Sequence, residues 1–233
     1  MTKTKVCALM MSAAILLSGC GASNTTKGGI IGGTSGAALG ALAGKLIGKS
    51  GKSTAIGAAV GAAVGTTAGV LIGKKMDKAA AAAAAAANNA TVETVTDANG
   101  LEAVKVTFDN GILFNTGKYA LQSSAQSELK NFASKVLNVY TDCDVAIQGY
   151  ASSDGSDATN LTLSQNRADA VKNYLVNTCS VSSSQIKESK GYGETNLITN
   201  ADGSENAAAS RRVEVYLYAS QAMIKAAEAG TLK

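Results

Sequence analysis

The chain has 233 residues, a formal net charge of +4 and no histidine. Most of its 25 glycines lie in residues 21–73, whereas all seven tyrosines and all three phenylalanines follow residue 107, so only the second half can build an ordinary core. The lysines are not interleaved with aromatic residues, which argues against nucleic-acid binding, and the lack of histidine removes the commonest general base and a usual zinc ligand.

The first twenty residues have the pattern of a bacterial export signal. A lysine-containing start and an apolar run (6–17) lead to Leu17-Ser18-Gly19-Cys20, which resembles the lipobox at which lipoproteins are cleaved and diacylated. We therefore expect residues 1–19 to be removed and Cys20 to be the acylated start of a short lipidated N-terminus (20–27). The glycine after the cysteine, by resemblance to other lipoproteins, favours the outer membrane. An ordinary signal peptide with an incidental cysteine is the alternative.

Glycine recurs at every fourth residue through 28–48 and again through 57–73. This period places a smooth ridge along one helix face, as in the small-residue motifs that associate helices in lipid, and it resembles the glycine-zipper modules of outer-membrane lipoproteins. Residues 30–48 and 55–73 are each nineteen residues long with at most one charge, which is just enough to span a bilayer. We expect a glycine-zipper membrane hairpin at 28–78, with a flexible glycine-rich spacer as the alternative.

An unbroken alanine run, 79–87, follows the predicted hairpin. Alanine is the best helix former, so the run predicts a short, semi-rigid helical arm that holds the next domain away from the membrane. Two asparagines end the run. The sequence thus indicates an alanine-rich linker at 79–90 and a separate C-terminal domain at 91–233.

The C-terminal domain alternates strand and helix patterns. The predicted elements are a hairpin of 91–96 and 101–108, a helix that Ser123 or Ser124 caps and that runs to about Tyr140, a strand at 144–150, a helix at 164–177, strands at 186–192 and 213–218, and a terminal helix within 219–233. This order predicts an α+β sandwich in which helices cover one face of a mixed β-sheet.

Two cysteines remain in this domain, Cys143 and Cys179. An even pair in an oxidising compartment indicates a disulfide. Cys143 begins a predicted strand and Cys179 ends the helix that runs back antiparallel to it, which would bring the two close together. Two reduced, buried thiols are the alternative.

Four separated motifs lie in order along the domain. They are Ile112-Leu113-Phe114-Asn115 followed by Leu121, the loop 149–167, Gly191-Tyr192-Gly193-Glu194, and Arg211-Arg212-Val213-Glu214-Val215. Together they resemble the signature of the OmpA-like peptidoglycan-binding domain, in which the first motif is a core strand and the last two are the final strands. The resemblance implies a binding role. The lack of histidine, with serines that the context places in turns and caps, argues against catalysis and a metal, and no cofactor is expected.

The resemblance also implies which residues contact ligand. In the family, an arginine binds the carboxylate and an aspartate binds the ammonium of diaminopimelate in the peptidoglycan stem peptide. Arg167 matches that arginine, on the first turn of its predicted helix, but Ser152 stands where the family has the aspartate. Asp154 is a candidate substitute, although it is equally well read as a solvated loop carboxylate. Asn160 matches a family asparagine that shapes the loop, and Asn115 completes the predicted ligand-binding set.

Two functions stay open at this point. In the first, the chain is a lipid-anchored outer-membrane protein whose periplasmic C-terminal domain tethers the membrane non-covalently to peptidoglycan. In the second, it is a structural or assembly lipoprotein of the envelope that works through the glycine-zipper hairpin, by self-association or by contacts with other envelope proteins, and its peptidoglycan site is degenerate. Ser152 separates them, because wall binding without the aspartate would support the tether.

Overall fold

The computed structural model describes residues 65–233, so the predicted signal peptide, Cys20 and the first arm of the glycine hairpin lie outside the described residues. The helices are α1 (Thr66–Ala86), α2 (Asn110–Leu113), α3 (Ser123–Phe132, continued by a π-helical segment at Ala133–Leu137), α4 (Asp157–Asn177), α5 (Ala207–Ser210) and α6 (Gln221–Glu228). The strands are β1 (Ala90–Thr96), β2 (Glu102–Asp109), β3 (Cys143–Tyr150), β4 (Ile186–Gly191) and β5 (Arg212–Ala219).

The five strands form one mixed sheet in the order β1-β2-β5-β3-β4. Strand β5 is antiparallel to both of its neighbours, β2 and β3, whereas β3 and β4 are parallel and joined by α4. Helix α4 packs on β3 and β4, and α1 packs on β1 and β2. Apolar side chains from the helix-covered face of the sheet, such as Val106, Ile147 and Val215, are fully buried. The predicted α+β sandwich with a mixed sheet is confirmed.

The predicted β1–β2 hairpin is also confirmed. Thr96 pairs with Glu102 across the turn. Asp97 fixes the turn, because its Oδ1 accepts hydrogen bonds from the backbone N–H groups of Asn99 and Leu101, both at 2.8 Å. Gly100 takes a φ of 77°, in the left-handed region that favours glycine.

Helix α4 begins seven residues before the predicted start at Ser164. The side chain of Ser156 caps it by accepting a hydrogen bond from the Thr159 N–H, and Asp157 places a negative charge in its first turn. The sequence prediction was wrong because this polar stretch has no apolar stripe, although it carries a strong start signal. Arg167 therefore lies well inside the helix and not at its first turn.

The first family motif does not form a strand. The carboxylate of Asp109 accepts a hydrogen bond from the Gly111 N–H at 3.0 Å, and the chain turns into the short helix α2. Phe114 then makes an isolated antiparallel bridge to Leu121. Helix α3 begins at Ser123 with Gln122 at its N-cap position and no side-chain cap, so the predicted serine cap is absent.

Helix α1 runs without a break across the predicted boundary between hairpin and linker. One of its faces is fully buried at Ile72, Met76, Ala79 and Ala83, against β1, β2, α6 and the π-helical segment. The predicted free alanine arm was wrong, because alanine is small enough to let a helix lie close against a sheet and contribute to its core. Among the helices of residues 65–233, none combines the length and apolar composition that a membrane span needs.

Cys143 and Cys179 are both buried free thiols, so the predicted disulfide is not present. Helix α4 ends at Asn177, and the two cysteines lie beside different charged groups: Asp142 and Lys75 act on Cys143, and Lys130 acts on Cys179. Burial, with Asp142 as the next cause, raises the pKa of Cys143 to about 12. Both cysteines thus behave as small apolar side chains.

A carboxyl pair lies in the interface between α1 and β2. A Cβ atom built on Gly73 would lie 3.0 Å from Oε2 of Glu102, and Asp77, one turn further along α1, shares a hydrogen bond with the Glu102 carboxyl. Burial, followed by the charge of Asp77, raises the pKa of Glu102 from 4.5 to about 7. Docking of α1 therefore favours the protonated form of Glu102.

This pair predicts a pH-dependent stability. Because the folded pKa of Glu102 is raised, its contribution is fully present below about pH 4.5 and is lost as the pH rises through about 7. We expect the free energy of unfolding in urea to fall over that window, and Glu102→Gln to flatten the fall. Glu228→Gln, at an exposed position of α6, is the control. An unchanged pH profile in Glu102→Gln would contradict the interpretation.

Candidate functional site

Arg167 lies about three turns into α4 and is almost completely buried, with 1% of its surface exposed. Its Nε donates a hydrogen bond to the backbone oxygen of Lys118 at 3.1 Å, and its guanidinium lies 5.5 Å from the centre of the Phe114 ring. Its Nη1 is buried and has no hydrogen-bond partner in the part of the chain that the structure describes. A buried cationic donor without an acceptor is costly, so this atom is suited to an anion supplied by a ligand.

A second guanidinium adds positive charge at the site. Burial, and then the charge of Arg211, lower the pKa of Arg167 to about 10. Arg211 lies between α5 and β5, 44 positions further along the chain than Arg167. A carboxylate placed between the two groups would relieve their mutual repulsion and satisfy the free donor of Arg167.

Ser152 and Asp154 are linked to this cationic pair through Arg211. Oγ of Ser152 donates a hydrogen bond to Oδ2 of Asp154 at 3.0 Å. Nη1 of Arg211 donates to the same Oδ2 at 3.2 Å and to Oγ of Ser152 at 3.3 Å. The Asp154 side chain is still 75% exposed. Asp154 is therefore an oriented carboxylate that remains open to a ligand, and not a freely solvated loop residue.

Glu205 adds another carboxylate beside the same loop. It accepts hydrogen bonds from the backbone N–H of Ser153 at 3.2 and 3.3 Å and from the Ser153 hydroxyl. The hydroxyl bond is the main reason that the pKa of Glu205 lies below its ordinary value, and Arg211 contributes to the same direction. Sequence reasoning assigned neither Glu205 nor Arg211 to the site. The sequence does offer one indication for Arg211, because it is the first residue of the last family motif.

The two predicted asparagines have backbone roles in the structure. Asn160 is buried, and its Nδ2 donates hydrogen bonds to the backbone oxygen of Ser152 at 3.1 Å and to Oε2 of Glu194 at 2.9 Å, which fixes the loop. Asn115 is exposed, and its backbone oxygen accepts a hydrogen bond from the Lys118 N–H at 3.0 Å. Asn115 thus closes the turn that carries Lys118 onto Arg167.

Close packing of α4 on the sheet sets the position of Arg167. A Cβ on Gly149 would lie 2.2 Å from the backbone oxygen of Ser164, and a Cβ on Gly191 would lie 2.2 Å from the Gln165 nitrogen. No other residue fits at either glycine. Oγ of Ser164 also accepts a hydrogen bond from the Gly193 N–H at 2.9 Å. The glycines of two family motifs therefore hold the helix that carries the arginine.

The neighbouring Arg212 is used differently from Arg211. Its side chain is buried, its Nε donates to Oε1 of Glu214 at 2.7 Å, and its guanidinium lies 4.0 Å from the centre of the Tyr150 ring. Tyr150 stacks in turn on Tyr192, with ring centres 5.5 Å apart. Because these partners already satisfy Arg212, it supports the sheet and is not a ligand candidate.

This fold and this site define an α+β domain with a cluster of cationic and anionic side chains, Arg167, Arg211, Asp154 and Glu205. Residues 113–211 match the OmpA family model, and residues 1–77 match the YMGG-like Gly-zipper model. The chain thus carries an OmpA family domain in its C-terminal half and a Gly-zipper segment in its N-terminal part.

Similar proteins agree with the domain assignment. Outer membrane porin F of Pseudomonas aeruginosa is 33% identical over 122 residues, which cover 51% of this chain and 34% of the porin. The protein named "Probable lipoprotein YiaD" of Escherichia coli is 34% identical over 108 residues, covering 46% of this chain and 48% of YiaD. The chain therefore spans less than half the length of either relative. A solved MotB-like protein from Desulfovibrio vulgaris has the same fold, with a TM-score of 0.50, 18% identity and coverage of 66% of this chain and 92% of that one.

Proposed function

We propose that this chain is a non-catalytic envelope protein whose OmpA family domain binds peptidoglycan non-covalently, through the diaminopimelate residue of the stem peptide. The observation that carries the proposal is the buried Nη1 of Arg167, which has no hydrogen-bond partner among residues 65–233. A stem-peptide carboxylate would satisfy it with a charge-assisted hydrogen bond. The family assignment of residues 113–211 supports the same ligand.

The ammonium of diaminopimelate is bound by Asp154 in this proposal. Ser152 has lost the charge that the family places there, but its hydroxyl orients the Asp154 carboxylate two residues further on. Arg211 holds the same carboxylate from the other side, and about three quarters of the Asp154 side chain faces solvent. In this proposal, the carboxylate that binds the ammonium therefore lies at Asp154, two residues after the family position.

Exchange of these two residues tests the proposal. Asp154→Ser should weaken co-sedimentation of the full chain with isolated sacculi by about tenfold, since it removes a charge-assisted contact. The double variant Ser152→Asp/Asp154→Ser returns the carboxylate to the family position and should restore binding. Asp202→Ser, on an exposed loop, is the matched control. A wild-type chain that stays in the supernatant would refute peptidoglycan binding, and equal binding by all variants would refute the role of Asp154.

Attachment to the outer membrane forms the other half of the proposed tether. The names of the two relatives, an outer-membrane porin and a probable lipoprotein, support an envelope location. The lipid on Cys20 and the hairpin at 28–78 would hold the chain in the membrane, with the binding domain in the periplasm. Mass spectrometry of the protein from membranes should find Cys20 acylated, and Cys20→Ala should accumulate as an uncleaved precursor. An unmodified Cys20 in the wild-type protein would refute the anchor.

A second candidate function is assembly of envelope lipoproteins through the glycine segment. One observation favours it: a Cβ on Gly65 or Gly69, at the N-terminal end of α1, would meet no atom within 4 Å, so this end of the helix has room for another helix. Small residues on an open face permit close approach of two backbones. Replacing Gly61 and Gly65 with leucine should then reduce cross-linked assemblies without releasing the protein from the membrane. Unchanged assemblies would remove this candidate.

A further inference from the structure

The burial of Arg167 conflicts with the size of its proposed ligand. Only 1% of the residue is exposed, so a polymeric ligand cannot reach the guanidinium while its present cover stays in place. Two contacts on the guanidinium come from neighbouring parts of one stretch: Phe114, which belongs to the core, and Lys118, which is exposed. The Phe114 ring lies on the guanidinium, and the backbone oxygen of Lys118 accepts the hydrogen bond from Nε.

Residues 115–120 form a short loop on the surface of the domain. Its base is closed by the bridge between Phe114 and Leu121. All the residues of this loop are exposed, and the hydrogen bond from Arg167 to Lys118 joins the loop to α4. Gly117, at its middle, has a φ of 67°. A loop with an anchored base and a single polar tie to α4 can open without disturbing the core.

We propose that residues 115–120 form a lid over Arg167, and that the lid opens to let the ligand carboxylate replace the Lys118 oxygen on the guanidinium. This inference rests on the proposed function. The closed state leaves Nη1 of Arg167 without a partner among the described residues. A carboxylate would replace a bond to a neutral carbonyl with charge-assisted bonds to the guanidinium. Only open molecules bind, so the apparent affinity equals the affinity of the open form multiplied by the fraction of molecules that are open.

A strained lid gives the first test. A Cβ on Gly117 meets nothing within 4 Å, so Gly117→Ala penalises the closed backbone conformation at a φ of 67° without a steric clash. We expect the full chain to bind a soluble disaccharide tripeptide ending in diaminopimelate about fivefold more tightly, because the open fraction rises. Gly100→Ala is the matched control, since Gly100 has a φ of 77° and equally open surroundings in the distant β1–β2 turn.

A fluorescent reporter gives the second test, because the chain contains no tryptophan. Tyr119 is on the lid and 55% exposed, so Tyr119→Trp should change its emission when the same disaccharide tripeptide binds. Val139→Trp, at a position that is 61% exposed and outside the lid, should keep the same emission when the disaccharide tripeptide binds. Ligand binding by the wild type without tighter binding by Gly117→Ala, or without the emission change, overturns the lid and leaves the proposed function intact. No binding by the wild type overturns both.

Discussion

Replacing Arg167 with methionine should abolish measurable binding to peptidoglycan and leave the domain folded. Methionine has about the length of the arginine stem and can occupy the space beside Phe114, whereas it removes the charge and every guanidinium donor. Loss of a charge-assisted pair should cost about 2–4 kcal/mol of binding free energy. Stability should hold or rise, because the buried, unpaired Nη1 disappears with the substitution. Calorimetric titration with the disaccharide tripeptide measures the first effect, and thermal unfolding measures the second.

Two companion variants separate charge from shape at this position. Arg167→Lys keeps the positive charge but loses the planar fork, so its affinity should fall between those of the wild type and Arg167→Met. Lys172→Met removes a charge from the same helix outside the site and should bind like the wild type. If Arg167→Met binds as tightly as Lys172→Met, Arg167 serves only to hold the loop through Lys118, and the carboxylate site lies elsewhere.

The sequence predicted the sheet and the central arginine because both leave local signals. Alternating apolar residues marked β2, an apolar run marked β3 and the last family motif marked β5, each to within two residues, and the motif that ends at Arg167 identified the helix that carries it. The partners of that arginine could not be found in the same way. Arg211 meets Ser152 across 59 residues, and Glu205 meets Ser153 across 52 residues, so these contacts depend on how β5 and the loop before it return to β3.

The role of α1 was hidden for a different physical reason. The alanine run in the second half of α1 has no apolar stripe, so the sequence of the run cannot say which of its faces is buried, or whether any is. Propensity alone therefore favoured a free helical arm. The sheet supplies the missing information, because α1 packs on β1 and β2 and the buried alanines belong to the same core cluster as Val104 and Val106 of β2.

Charged substitutions within the alanine run should show which face of α1 is packed on the sheet. Ala83 is fully buried and Ala81 is exposed, although the two are only two residues apart in the same helix. Ala83→Glu places an uncompensated carboxylate against the sheet and should lower the free energy of unfolding by about 3–5 kcal/mol. Ala81→Glu should change it by less than about 0.5 kcal/mol, since exposed substitutions rarely matter more. Urea unfolding of both variants, followed by circular dichroism, provides the measurement.

The comparison cancels helix propensity, because the same alanine-to-glutamate change is made twice within one helix. What remains is the difference between a face packed on the sheet and a face in solvent. A free arm, as the alanine run alone suggests, would give equal and small effects at both positions. A large effect at Ala83 alone would mean that α1 belongs to the binding domain. Residues 66–73 of the glycine segment would then belong to a continuous helix that is packed on the domain with the proposed peptidoglycan site.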